Sequence, residues 1–147
     1  MSTSAQEDGL KRSASAEAPA RPGRTILVVM DDANLRAIIT LWLRRAGYAV
    51  LLSGNAEGAQ EAVLSGKPDL VILDLPLTGS DGFTLLDWLR RAPVTHEMPV
   101  LVVTAYDDAE HWLRSFELGA AGFLRKPFRW RDLIAKVARI MSETRIP

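Results

Sequence analysis

Asp69-Leu70-Val71-Ile72-Leu73-Asp74, followed at once by Leu75-Pro76-Leu77-Thr78-Gly79-Ser80-Asp81-Gly82, is the stretch that decides the fold. The apolar run from Leu70 to Leu73 is short, shows no polar alternation and stops at a turn-rich loop, the pattern of a strand buried on both faces. Strands of this kind belong to sheets covered by helices, and such sheets place their chemistry in the crevice beyond the carboxyl ends of their strands. A lone carboxylate at Asp74 is then placed to act as a ligand or a nucleophile. Matching groups follow other apolar runs: Asp31-Asp32 after Ile26–Met30, Thr104 after Val100–Val103, and Lys126-Pro127 after a short run at Gly122–Leu124.

Helical patterns lie between these runs. Asn34 opens one with Leu35, Ile38, Ile39, Trp42 and Ala46 on a single face, closed by Gly47. Tyr48–Leu52 reads as a second strand, and Asn55 caps a helix to about Ser65 that Gly66-Lys67-Pro68 stops. Asp69–Leu73 is the third strand and Phe83–Arg91 the third helix. Pro99–Val103 is the fourth strand, and a helix runs from Asp107 or Asp108 through Leu118 to Gly119. The last helix follows the Gly122–Leu124 strand and carries Trp130, Leu133, Ile134, Val137 and Met141 on one face. Alternating β/α units with short connections predict an α/β fold, a doubly wound parallel sheet of five strands with helices on both faces. The flavodoxin-like order 2-1-3-4-5 is the arrangement expected for five such units.

The chain has 147 residues and zero formal net charge, enough for one domain with a real core. Nothing resembles the basic footprint of a nucleic-acid binder, and no apolar run approaches the ~20 residues of a membrane span. Cysteine is absent, and His96 and His111 lie on separate segments without metal-ligand spacing. A cytoplasmic location fits this composition. Residues 1–23, rich in Ser, Ala, Pro and Gly, read as a disordered extension, 24–142 as the domain, and 143–147 as a short tail.

In a 2-1-3-4-5 sheet, strands one, three and four are neighbours, so Asp31, Asp74 and Thr104 converge. Clustered carboxylates repel one another, and a hard cation such as Mg²⁺, which prefers oxygen ligands, relieves that repulsion. One carboxylate can attack a phosphoryl donor, giving an acyl phosphate. A hydroxyl and a compact ammonium then balance the phosphoryl oxygens. Each residue also has an ordinary reading: Asp74 as a turn residue, Asp31-Asp32 as helix N-terminal charges, Thr104 as a cap, Lys126-Pro127 as a solvated turn. Their joint placement on successive strand ends favours a phosphoryl-handling site.

Four segments together resemble the receiver domain of two-component response regulators: Ile26-Leu27-Val28-Val29-Met30-Asp31-Asp32, Leu73-Asp74 with Gly79-Ser80-Asp81-Gly82, Val103-Thr104-Ala105, and Phe123-Leu124-Arg125-Lys126-Pro127-Phe128. The resemblance spans roughly residues 24 to 142. It implies that Asp74 is the phosphoacceptor and that Asp31, Asp74 and the backbone carbonyl of Pro76 bind Mg²⁺. It implies that Thr104, Ala105 and Lys126 contact the phosphoryl group, that Thr104 and Phe123 form the switch, and that the Lys126-Pro127 bond is cis. It also implies a histidine kinase or histidine phosphotransfer protein as donor, and a downstream partner or homodimer as output, with Trp112 a candidate for that surface. No direct nucleic-acid or membrane contact is expected.

Two positions depart from the family pattern. Met30 stands where an acid normally precedes Asp31, and a thioether is a poor partner for a hard cation, so weakened Mg²⁺ affinity is expected. In an alternative register Asp31-Asp32 is the acid pair. Thr78 stands where proline often precedes Gly79. The leading expectation is a receiver acting alone, not an enzyme; the competing one is a pseudo-receiver that binds partners without phosphorylation. A haloacid-dehalogenase-type phosphatase would need a second acid at Pro76, and the acidic loop after Met30 would repel a flavin phosphate. For the last two helices, Leu113, Leu118, Leu133, Ile134 and Val137 are expected to supply the buried faces, with Trp112 either exposed or in the core.

Overall fold

A computed structural model describes residues 24–75, 82–105 and 109–143 of the chain. In chain order the elements are β1 (Thr25–Val29), α1 (Ala33–Arg45), β2 (Ala49–Ser53), α2 (Ala56–Gly66), β3 (Leu70–Leu75), α3 (Gly82–Arg91), β4 (Val100–Thr104), α4 (Ala109–Glu117), β5 (Gly122–Arg125) and α5 (Trp130–Glu143). All pairings are parallel and the strand order is β2-β1-β3-β4-β5. The fold expected from the β/α alternation is the fold observed.

Strand side chains alternate between the two faces of the sheet, so each strand feeds two cores. Leu27, Val29, Val71, Leu73, Val100 and Val102 pack with Ala59 and Val63 of α2 and with Phe83, Leu86 and Leu89 of α3. Ile26, Val28, Leu70, Ile72, Leu101 and Val103 pack with Ile39 and Leu43 of α1 and with Leu133, Val137 and Ile140 of α5. Burial on both faces explains why β3 and β4 read as unbroken apolar runs.

The helix boundaries follow local chemistry. Asp32 caps α1, its Oδ1 accepting from the backbone N–H groups of Asn34 (3.0 Å) and Leu35 (3.1 Å). Gly47 follows α1 with φ +101°, a left-handed geometry that glycine adopts without Cβ strain. Asn55 caps α2 as expected, accepting from Gly58 N at 2.7 Å. Thr95, buried at the turn after α3, donates to Leu89 O at 2.8 Å, and Arg90 donates to the carbonyls of His96 and Met98. These bonds set the path into β4.

Several expectations need correction. Asp74 and Thr104 lie inside β3 and β4, not beyond them, because parallel pairing continues to Leu75↔Thr104. Ile38 shares the apolar spacing of α1 with Leu35, Ile39, Trp42 and Ala46 but is exposed, since Ile39 and Leu43 already face the sheet. Leu113 was expected to be buried and is 57% exposed, while Ser115 is buried. Side contacts set the rotation of α4: the His111 ring stacks on Phe83 at 5.9 Å, and the Arg114 guanidinium lies 4.2 Å from the centroid of the same ring. Trp130 is likewise exposed, with Arg131 against its ring. Residues 1–23, Pro76, Thr78, Gly79 and the helix start at Asp107 or Asp108 lie outside the described residues.

Ile72, fully buried in the middle of β3, has Val28 and Leu101 as strand partners. Ile72→Ala is expected to lower unfolding free energy by about 2–5 kcal/mol, read as a reduced urea midpoint at unchanged m-value.

Candidate functional site

Strand register builds the site. Val29 pairs with Leu73 and Asp74 with Val103, so continuing the β1–β3 register by one residue sets Met30 beside Asp74. Asp74 shares its sheet face with Leu70, Ile72 and Val103 and is only 2% exposed. Thr104 is buried too, on the opposite face with Val102. Ala105 follows it and is exposed.

Lys126 approaches from the end of β5. Its backbone N–H donates to Thr104 O at 2.8 Å, extending the β4–β5 pairing beyond Arg125. Its Nζ reaches Asp74 Oδ1 at 2.7 Å. The Lys126-Pro127 peptide is cis, as the resemblance implied.

Burial is the largest influence on the Asp74 carboxyl and pushes its pKa above the ordinary 3.8. The Lys126 hydrogen bond and charge pull it back, while Asp31 and Asp32 push it up again. The lysine therefore opposes the desolvation that would otherwise favour a neutral, unreactive acid. It also stands where phosphoryl oxygens would carry charge on an acyl phosphate at Asp74.

The two acids after β1 divide their work. Asp32 is committed to the α1 N-terminus through its two backbone hydrogen bonds. Asp31 is exposed at the start of the same loop, and its field on Asp74 places the two carboxylates in one electrostatic site. Met30 is fully buried in the apolar layer with Ile39, Leu133 and Val137. Among the described residues no three acids or histidines gather as a metal cage. Asp31 and Asp74 nonetheless suit Mg²⁺, which is held by one or two carboxylates together with waters and phosphate oxygens. The repulsion from Asp31 and Asp32, a smaller influence on the Asp74 carboxyl than burial, is what such a cation relieves.

Sequence reasoning missed two contacts. Arg36 Nη1 donates to Met30 O at 2.7 Å and so fixes the loop that presents Asp31. Phe123 carries a second ring on it: Trp112 stacks at 5.3 Å between centroids and 3° between planes. Neither contact has a local signal, because each joins separate elements. A cavity of about 380 Å³ between α3 and α4 is lined by Phe83, Thr84, Asp87, Arg114, Glu117 and Leu118. Asp74, Thr104 and Lys126 take no part in it.

Comparison with known proteins gives a consistent picture. The model of the response regulator receiver domain matches residues 26–138. The phosphate regulon transcriptional regulatory protein PhoB of Pseudomonas aeruginosa is 34% identical over 122 residues, covering 83% of this chain and 53% of that protein. The chain spans about half the length of this relative. The non-phosphorylated HemR receiver domain of Leptospira biflexa is 33% identical with a TM-score of 0.77, covering 84% of this chain and 98% of that one. The beryllofluoride-activated RstA receiver domain of Klebsiella pneumoniae is 28% identical with a TM-score of 0.73, covering 80% of this chain and 98% of that one.

A raised carboxyl pKa has a definite effect on stability. The folded chain holds the Asp74 proton to higher pH than the unfolded chain, so the contribution of this group falls as pH rises from about 3.8 through the folded value. Without divalent cations, Asp74→Asn is expected to melt above wild type at neutral pH. The difference should shrink toward zero as pH approaches the ordinary carboxyl value, as followed by thermal melts across the range.

Proposed function

This chain belongs to the response regulator receiver domain family, and on that premise we propose that Asp74 accepts a phosphoryl group from a histidine kinase or histidine phosphotransfer protein. The observation that carries this reading is the buried Asp74 carboxylate, held at 2.7 Å by Lys126 one residue short of the end of β3. An Asp74 carboxylate oxygen attacks phosphorus as the bond to the donor imidazole breaks, and the imidazole nitrogen keeps the electron pair. Lys126 then neutralises charge on the transferred group, and the Thr104 hydroxyl and Ala105 N–H supply hydrogen bonds to it. Mg²⁺ held by Asp31, Asp74 and the Pro76 carbonyl would offset phosphoryl charge during transfer. The chain is an acceptor and switch, not a turnover enzyme.

The donor face is supported by α1 and the start of α5. Ile38 and Leu41 are exposed on α1, Trp130 is exposed at the first turn of α5, and Trp42 meets Phe128 edge-on at 6.3 Å. Exposed apolar groups on joined elements suit a helical partner that must bring its histidine to the sheet edge. The output would be a contact with another protein or a second copy. The zero net charge supports protein contact over direct nucleic-acid binding, and among the described residues no helix is long and apolar enough to cross a membrane. A cytoplasmic site of action is part of this reading.

Met30 favours a second reading, a pseudo-receiver whose partner contacts do not require phosphorylation. Intact-mass measurement after acetyl phosphate treatment with Mg²⁺ separates the two. One added phosphoryl group is expected, absent from Asp74→Asn and strongly reduced in Asp31→Asn. Asp32→Ala should keep the label while losing about 1 kcal/mol of stability with its cap. An unlabelled wild type would leave the pseudo-receiver.

The effect of Met30 on the cation is measurable separately. Met30→Asp is expected to raise Mg²⁺ affinity roughly 10–100-fold, followed by amide shifts during titration. Equal affinities would show that position 30 does not act on the metal.

A further inference from the structure

Trp112 has a role that neither burial in the core nor a free surface describes. It is 42% exposed, yet its ring lies parallel to Phe123 at 5.3 Å, within the range of favourable aromatic stacking. Leu113 and Phe116 of α4 point outward, 57% and 69% exposed, and the inward position is taken by the small Ser115, whose hydroxyl bonds within the helix to His111 O. Two aromatic contacts thus orient α4: His111 and Arg114 against Phe83 on the α3 side, and Trp112 against Phe123 on the β5 side.

The second contact touches the switch. Val102 pairs with Phe123 and Thr104 with Arg125, so Phe123 and Thr104 lie on the same sheet face, diagonal to each other on neighbouring strands. On the receiver reading, in which Thr104 and Phe123 form the switch, a Thr104 side chain drawn toward a phosphoryl group on Asp74 would open space on the side of Phe123. A Phe123 ring that moves into this space must leave the Trp112 ring.

We infer that Trp112 is a positioning residue that latches the resting state by stacking on Phe123, so that switching and release of the Trp112 ring are one event. This rests on the receiver reading above. The latch opposes switching by the strength of one aromatic pair, which corresponds to about a two- to tenfold bias in the equilibrium. Release would also free an indole beside the exposed Leu113 and Phe116, enlarging an apolar face only in the switched state.

Beryllofluoride with Mg²⁺ tests this on the full chain. Indole N–H resonances report the ring, with the Trp112 signal assigned by its loss in Trp112→Leu, and the Ala105 amide reports the site. In wild type, the Trp112 signal should shift in step with Ala105. In Trp112→Leu, the half-saturating beryllofluoride concentration should fall about two- to tenfold. Trp112→Phe, which keeps a stacking ring, should stay near wild type. Phe123→Leu should reproduce the fall, with no further gain in the double variant. A wild type that responds at Ala105 while Trp112→Leu keeps the wild-type half-saturation overturns the latch and leaves the receiver reading standing. So do additive gains in the double variant. A wild type that shows no response at Ala105 removes both.

Discussion

The ion pair between Asp74 and Lys126 is the constraint around which the upper edge of the sheet is organised. A carboxylate almost out of contact with water is costly to ionise, and a neutral carboxyl is a poor nucleophile. The 2.7 Å contact offsets part of that cost, but only if a lysine from the opposite half of the chain arrives in register. The register comes from β5: the Lys126 N–H continues the pairing with β4 by donating to Thr104 O. Two cores, one on each side of the sheet, hold β3 and β4 in place beneath it. The apolar mass of the domain thus positions this one charged contact.

That architecture was legible in the sequence because each element carried its own signal. The unbroken apolar runs of β3 and β4 marked burial on both faces, and Asn55 marked the start of α2. Strand ends were less legible. Asp74 looked like the residue after a strand because it is polar, yet backbone pairing does not depend on side-chain polarity, and β3 continues through Leu75. The same holds for Thr104. Candidate site residues were found because they are polar groups beside apolar runs, a pattern visible along one dimension.

What the sequence hid are contacts that only a third dimension creates. Leu113 and Leu118 read as the buried face of α4, yet Leu113 is exposed. The structure turns Leu113 outward, because Phe83 and Phe123 hold the helix from its two sides. Arg36 gave no signal either. Its hydrogen bond to Met30 O depends on the path of the β1–α1 loop, which Asp32 fixes by capping α1. Ile38 and Trp130 failed for the opposite reason: the apolar face of each helix was drawn wider than the sheet beneath it can cover.

Met30 shows how a single replacement changes the electrostatics of the site without disturbing its frame. Its backbone remains in the sheet, donating to Ser53 O at 3.0 Å and accepting from Arg36. Its side chain joins the apolar layer shared with α1 and α5. A carboxylate at this position would add a negative charge on the same sheet face as Asp74, competing for Lys126 and raising the demand for a cation. The thioether leaves Lys126 to Asp74 alone and removes one source of repulsion. Asp32 has one of its two carboxylate oxygens engaged by the first turn of α1. On the proposed receiver reading the balance at the sheet edge would rest on fewer charges: Asp31 and Asp74 would face the cation, with Lys126 paired to Asp74. In such a site the negative charge of an incoming phosphoryl group is a larger share of what a divalent cation would bind, so phosphoryl and cation binding should be more tightly coupled than in a site with a full set of acids.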